Sequence, residues 1–99
     1  MTGSYQFGSY QVDAAKRLLT RGGEVVTLAP KTFDLLLLLA ESQGRVLSKQ
    51  ELMKALWPDT FVEEANLSFQ MSTLRKALGE AGTPWIETVP STDTGLRLR

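Results

Sequence analysis

A candidate binding face lies in residues 66–78, NLSFQMSTLRKAL, whose leucines and methionine recur at helical spacing. At about 100° per residue, these apolar residues share one helix face and predict a stripe packed against a core. Phe69 falls nearly opposite this stripe, with Thr73 and Lys76 beside it. A hydroxyl can donate to or accept from a base edge in the major groove of DNA, and an apolar group can contact a thymine methyl. The spacing therefore predicts an outward face whose chemistry suits contact with bases.

Catalysis and metal binding have few candidate side chains in this chain. The 99 residues include no cysteine and no histidine, which excludes disulfides, thiolate metal sites and the Ser–His and Cys–His pairs of nucleophilic catalysis. The acidic residues form no pair in a pattern that predicts a cleft. We therefore expect no enzyme activity, no metal, no cofactor and no small-molecule ligand in this domain.

Cysteine usage and hydropathy also bear on the compartment. A chain without cysteine has a reducing compartment as its natural default. The longest unbroken apolar run, residues 35–40, is far shorter than the ~20 residues that cross a bilayer, and the N-terminus lacks the layout of a signal peptide. We expect a cytoplasmic location.

The net charge gives no electrostatic indication of a nucleic-acid partner. The 11 basic and 11 acidic side chains sum to a formal net charge of zero, whereas a nucleic-acid-binding surface usually carries an excess of lysine and arginine. Composition alone therefore argues against a nucleic-acid binder. Such a function has to follow from the arrangement of the elements.

The first part of the chain has the alternating pattern of short β-strands. Aromatic and apolar residues alternate with polar ones from residue 5 to residue 13, around a turn at Gly8. Gly22 and Gly23 then separate two further β-prone runs, which is typical of a tight hairpin. The pattern predicts an antiparallel sheet of three or four short strands over residues 4–28.

Three helices and a hairpin are predicted after this sheet. Pro30 suits the first turn of a helix, and Ser48 with Glu51 three residues later is a capping box. Pro58 ends the second helix, and Glu63 begins the third. The predicted bounds are 30–43 for helix 1, 49–57 for helix 2, 63–78 for helix 3 and 85–99 for the hairpin, in a single domain spanning residues 1–99.

Three helices followed by a hairpin is the layout of a winged helix-turn-helix, an α+β fold in which the hairpin is the wing. The segments LAPKTFDLL, GRVLSKQEL and STLRKALG, together with the opening sheet, resemble the OmpR/PhoB-type winged-helix domain. The resemblance covers nearly all of the chain. Each segment alone would be a weak signal, but together they are quite specific.

The resemblance implies binding of double-stranded DNA in bacterial transcription control. In that family helix 3 is the recognition helix and enters the major groove, the wing reaches toward the neighbouring minor groove, and the loop before helix 3, residues 58–64 here, can contact RNA polymerase. Dimeric or tandem binding is expected, because avidity compensates for weak individual domains. Since Met1 lies only four residues before Tyr5, we also expect a one-component regulator whose sensor or effector follows this domain.

The resemblance further implies DNA-contacting roles for individual residues. Gln70, Ser72 and Arg75 match family positions that contact phosphates, and Trp57 matches a tryptophan whose indole N–H reaches the DNA backbone. The full predicted set is Trp57, Asn66, Phe69, Gln70, Ser72, Thr73, Arg75, Lys76, Thr88 and Arg97.

Several of these residues have a structural explanation as well. Phe69 either contacts a thymine or packs against the hairpin or the preceding loop, and the sequence favours neither. Arg75 and Lys76 also complement the helix dipole near the C-terminal end of helix 3. Trp57 can be a core residue with its N–H at the edge, and Arg97 can be a solvated strand residue.

Four positions depart from the family pattern. Thr73 stands where many members carry a base-contacting arginine, a contact worth about 1–3 kcal/mol of discrimination. In the wing, Pro90 replaces an arginine, Leu96 replaces a tyrosine, and Asp93 brings a negative charge that opposes phosphate. Thr73, Pro90 and Asp93, together with the zero net charge, support a second hypothesis, in which the winged helix serves protein–protein contact and its DNA binding is weak or lost.

Overall fold

The computed structural model describes residues 3–42, 45–82, 85–89 and 95–98. Its N-terminal part is a four-stranded antiparallel sheet in which each strand pairs with the next along the chain. Gly22 and Gly23 have φ angles of 56° and 88°, which glycine adopts readily. They form the predicted tight turn before the fourth strand of this sheet. The strands are β1 (Ser4–Phe7), β2 (Tyr10–Asp13), β3 (Leu18–Arg21) and β4 (Glu24–Val26).

Three helices follow this sheet: α1 (Pro30–Glu41), α2 (Lys49–Leu56) and α3 (Glu64–Gly82). The capping interaction predicted for α2 is present, because the backbone N–H of Glu51 donates to Ser48 Oγ at 3.1 Å. Gly79 interrupts α3 with φ 68° and ψ −166°. Within the described ranges, none of the helices is both long and apolar enough to cross a membrane.

The first two helices end earlier than predicted. Helix 1 was expected to reach residue 43, but α1 ends at Glu41, and both the backbone N–H and the hydroxyl of Ser42 donate to the Leu38 carbonyl. Residues 43 and 44, the predicted end of helix 1 and the residue after it, lie outside the described residues. Helix 2 was expected to include Trp57, which instead has φ −133° and ψ 68°. Pro58 explains this difference, since proline disfavours the helical conformation of the residue before it.

The third helix was predicted over residues 63–78, and its regular part agrees with this range to within one residue. Glu63 stands just outside α3, and its carbonyl accepts from the backbone N–H of Asn66 at 3.0 Å. The regular helix ends at Leu78, because Gly79 takes the left-handed φ that commonly follows a helix C-terminus. The short helical turn beyond Gly79 was not predicted.

The C-terminal hairpin belongs to a three-stranded sheet. Its strands are β5 (Leu47–Ser48), β6 (Ile86–Val89) and β7 (Gly95–Leu98), in the order β5-β7-β6. The strand β5 was not predicted, since two residues carry no alternation that a pattern could detect. Glycine is required at position 95, where β7 pairs with β5, because a Cβ there would lie 2.6 Å from Val46 Cγ1 and 2.7 Å from the Leu47 carbonyl oxygen.

One core joins the N-terminal sheet to the helices. Buried leucines of α1 share this core with the apolar stripe of α3 and with Phe7, Tyr10 and Val12 from the sheet. The Tyr10 hydroxyl donates to the carbonyl of Leu78 and so ties β2 to the end of the regular part of α3. The architecture confirms the predicted α+β winged helix-turn-helix, with β6 and β7 as the wing.

The Tyr10–Leu78 hydrogen bond generates a stability prediction. Tyr10→Phe keeps the buried ring but leaves the Leu78 carbonyl without its donor, so we expect the free energy of unfolding to fall by about 1–3 kcal/mol. Urea denaturation followed by circular dichroism measures the change. The matched control is Tyr5→Phe, whose ring is only half-buried. Equal unfolding free energies for the two variants would contradict this role of the Tyr10 hydroxyl.

Candidate nucleic-acid interface

The outward face of α3 carries an aromatic ring exposed to solvent. Phe69 is 67% exposed and lies opposite the buried Leu67 and Leu74, while Ser72 and Lys76 beside it are also exposed. This exposure argues against the alternative in which Phe69 packs against the described part of the hairpin or the preceding loop. A ring held in this way adds nothing to the core and is free to contact another molecule.

One flank of this outward face is joined to α1 through Gln70. The half-buried Gln70 side chain accepts a hydrogen bond at Oε1 from the hydroxyl of Thr32, with 2.7 Å between the oxygens. Thr32 lies in the first turn of α1 and is fully buried. The carboxamide of Gln70 keeps its two N–H donors for other acceptors.

The other flank is joined to the wing through Arg75. Nη2 of Arg75 donates to Oγ1 of Thr88 in β6 at 2.8 Å, and Thr88 is exposed. Two predicted site residues that lie 13 positions apart are thus in direct contact. A guanidinium carries five N–H donors, and this bond engages one of them.

Two predicted residues on α3 form hydrogen bonds within the helix itself. The hydroxyl of Thr73 donates to the carbonyl of Phe69 at 2.8 Å, the back-bonding that threonine commonly forms inside helices. Thr73 therefore offers a base edge only the acceptor side of its hydroxyl. Asn66 is exposed at the start of α3, and its amide nitrogen donates to the Glu63 carbonyl at 3.3 Å.

Trp57 lies at the end of α2, half-buried against the core. The ammonium of Lys31 lies 5.6 Å from the centre of its ring and donates to the Leu56 carbonyl at 2.6 Å. A cation placed there stabilises the C-terminal end of α2 through the helix dipole and fixes the indole through a cation–π contact.

The wing contributes Thr88 and the backbone of Arg97. Arg97 lies in β7, paired with Glu87 of β6. Leu96 pairs with Thr88 on one side and with Leu47 on the other. Pro90 and Asp93, two of the departures in the predicted wing, lie outside the described residues.

Ion pairs balance charge at the start of α2 and at the start of α3. Lys49 Nζ lies 3.7 Å from a carboxylate oxygen of Glu64, and Arg45 lies 3.3 Å from Glu51. Exposed pairs of this kind contribute about 0–1 kcal/mol to stability, but they offset positive charge locally. Arg75 and Lys76 are the only cations of α3.

Sequence reasoning missed Thr32 as a residue of this site. The signal was present, because Thr32 shares a helix face with Leu36 and Leu39, at spacings of four and seven residues. A hydroxyl on an apolar helix face is expected to be buried and to need a partner. The sequence does not reveal which residue on another helix supplies it.

Comparisons with known proteins place residues 23–92 in the protein family described as "Transcriptional regulatory protein, C terminal". The chain is 34% identical over 86 residues to the transcriptional activator CadC of Escherichia coli strain K12, covering 84% of this chain and 17% of that protein. It is 37% identical over 81 residues to the transcriptional regulatory protein CutR of Streptomyces coelicolor, covering 81% of this chain and 36% of that protein. The chain thus spans well under half the length of these relatives.

Two solved DNA-binding domains have the same fold over nearly their whole length. The DNA-binding domain of E. coli CadC has a TM-score of 0.81 at 30% identity, covering 100% of this chain and 94% of that one. The DNA-binding domain of Klebsiella pneumoniae RstA, solved in complex with the RstA box, has a TM-score of 0.80 at 30% identity, covering 96% and 95%. The family is one of transcription regulators, not of enzymes.

The exposure of Phe69 generates a second stability prediction. Phe69→Ala removes a ring that the core does not use, so we expect the free energy of unfolding to change by no more than about 0.5 kcal/mol. Leu74→Ala, on the opposite face of the same helix, is expected to lose about 2–5 kcal/mol because it leaves a cavity. Chemical denaturation of both variants measures the difference. A loss at Phe69 comparable to the loss at Leu74 would show that the ring packs after all.

Proposed function

This chain belongs to the OmpR/PhoB-type family of transcriptional regulatory domains, and from that premise we propose that it binds specific sequences of double-stranded DNA within a bacterial transcriptional regulator. In this proposal the regular part of α3 enters the major groove and the wing lies near the adjacent minor groove. The observation that carries it is the face of α3 that exposes Phe69, Ser72 and Lys76 while the opposite face is buried.

The outward face of α3 supplies the base contacts. An α-helix with its side chains is about 10–12 Å across, and the major groove is about 12 Å wide. The ring of Phe69 suits a thymine methyl. The Ser72 hydroxyl matches a family position that contacts phosphate, and it can also donate to or accept from a base edge. Thr73 contributes only an acceptor, because its hydrogen is bonded to the Phe69 carbonyl. Lys76 adds one positive charge to this face.

The flanks of α3 and the wing supply the contacts to the DNA backbone. A helix in the major groove has one phosphate backbone on each side, and Gln70 and Arg75 lie on opposite flanks of the outward face. Thr88 and Arg97 belong to the adjacent wing strands. Asn66 at the start of α3 and the indole N–H of Trp57 complete the proposed set.

The neutral charge of the chain limits the affinity of a single domain. With so few cations we expect roughly two to four phosphate contacts per monomer, each contributing about −0.9 to the slope of log K against log salt concentration. We therefore propose that the protein binds DNA as a dimer or in tandem, where a second domain raises the effective concentration.

The loop 58–64 presents Phe61 with 98% of its surface exposed, and we propose that this loop contacts RNA polymerase. We also propose a cytoplasmic location and no catalytic role.

A second candidate function, protein–protein contact with weak or lost DNA binding, is favoured by the zero net charge and by the hydrogen bond that occupies the hydroxyl of Thr73.

Selection from a random DNA library tests the two functions against each other. We expect a chain fused to a dimerising coiled coil to enrich a defined sequence motif at low salt. The same selection with Phe69→Ala is expected to lose preference at one thymine position while keeping the rest of the motif. If no motif is enriched although circular dichroism shows an intact fold, the DNA-binding proposal fails and the protein-contact function is supported.

The role of Arg75 can be separated from sequence preference by its salt dependence. Arg75→Ala removes a phosphate contact, so we expect weaker binding to all sequences alike and a salt slope shallower by about 0.9. Fluorescence anisotropy titrations at several salt concentrations measure both quantities.

The matched control for Arg75→Ala is Lys16→Ala, which removes one exposed positive charge from the turn between β2 and β3. It should leave the slope unchanged. An equal change in slope for both variants would mean that Arg75 acts only through the overall charge of the protein.

A further inference from the structure

Thr32 is unusual among the buried residues of the described structure. Apart from Tyr10, it is the only residue in the buried set whose side chain carries a polar group, and its exposed fraction is 0%. A buried hydroxyl is destabilising unless it has a hydrogen-bond partner. Valine has nearly the same shape and would fill this place without that requirement. The hydroxyl therefore calls for an explanation beyond packing.

The partner of this hydroxyl is Gln70, 38 residues further along the chain. Thr32 Oγ1 donates to Gln70 Oε1 at 2.7 Å, a normal distance for an O–H···O bond. The oxygen and nitrogen of a carboxamide lie in one plane, on opposite sides of the line of the Cγ–Cδ bond. Holding the oxygen against α1 therefore directs the nitrogen, with its two N–H donors, away from Thr32. Gln70 is only half-buried, at the flank of the outward face of α3.

We propose that Thr32 is a positioning residue, which fixes the carboxamide of Gln70 so that Nε2 can donate to a DNA phosphate. This inference rests on the proposed DNA binding. A glutamine side chain loses rotational freedom when it is immobilised in a complex, and that loss weakens binding. A carboxamide already held by Thr32 loses less freedom on binding DNA. The hydroxyl thus contributes to affinity by ordering its partner in advance.

The two flanks of α3 differ in a way that isolates this effect. On the opposite flank, Thr88 accepts from Arg75 but is itself exposed and able to contact DNA. Thr32 has no exposed surface and cannot touch DNA. Any effect of its hydroxyl on DNA affinity must pass through another residue, and the hydrogen bond identifies that residue as Gln70.

A double-mutant cycle on DNA affinity tests the proposal. The probe is the duplex enriched by library selection, and the readout is its Kd by fluorescence anisotropy at fixed salt. We expect Thr32→Val to weaken binding about three- to tenfold, the range for one neutral hydrogen bond. Thr32→Ser, which keeps the hydroxyl, should restore affinity to within about twofold of the unaltered protein. In a Gln70→Ala background, Thr32→Val should have no further effect.

A control separates positioning from simple loss of stability. Leu36→Val weakens the same helix by removing one buried methylene group, and its Kd for the duplex should stay unchanged at a temperature where the variant is folded. If Leu36→Val weakens binding as much as Thr32→Val, or if Thr32→Val still weakens binding in the Gln70→Ala background, the positioning role is wrong.

A measurement on the unaltered protein makes the test independent of whether Thr32→Val folds. Nitrogen-15 relaxation of the side-chain amide groups should show Gln70 more ordered than Gln6 and Gln11, which are exposed in β1 and β2. Equal disorder in all three would overturn the inference.

The outcomes also distinguish failure of this inference from failure of the proposed function. If the unaltered protein binds no duplex, DNA binding itself is wrong, and the inference falls with it. If it binds, but either Thr32→Val or Gln70→Ala leaves Kd unchanged, the proposed function stands and the positioning role of Thr32 is rejected.

Discussion

The arrangement of the candidate interface depends on the burial of one face of α3. Leu67, Leu74 and Leu78 are each 1% exposed and share the core with the leucines of α1. A helix that buries a stripe of leucines has no rotational freedom about its axis, because a turn of 100° would replace them with polar residues. The opposite face is thereby held outward, and the exposure of Phe69 follows directly.

The leucine stripe fixes the rotation of α3 about its axis. Hydrogen bonds at the edges of α3 then fix individual groups on the helix. Thr32 of α1 holds Gln70 on one flank, Thr88 of the wing bonds Arg75 on the other, and the Tyr10 hydroxyl bonds the last carbonyl of the regular helix. All three partners come from different elements. The N-terminal sheet, α1 and the wing therefore act together to orient α3.

The lack of net charge shapes the function that such an interface can perform. Arg75 and Lys76 are the only cations of α3, so contacts to phosphate supply little of the long-range attraction that most DNA-binding proteins use. For the proposed DNA binding, affinity would then come from shape, from neutral hydrogen bonds and from side chains ordered before binding. In the proposed function, the preorganisation of Gln70 and the pairing of two domains on DNA would carry more weight than they would in a strongly basic protein.

Local patterns in the sequence determined the longer elements and their order. The alternation before residue 28, the capping box at Ser48 and the spacing of leucines in α3 depend on neighbours within one or two turns, so the strands, helix starts and outward place of Phe69 were predictable. Tertiary structure alone decided the rest. The pairing of β5 with β7, the contact of Arg75 with Thr88 and the choice of Gln70 as the partner of Thr32 each join residues far apart in the chain. No local spacing encodes such contacts, because they form only when packing of the core brings the separate elements together.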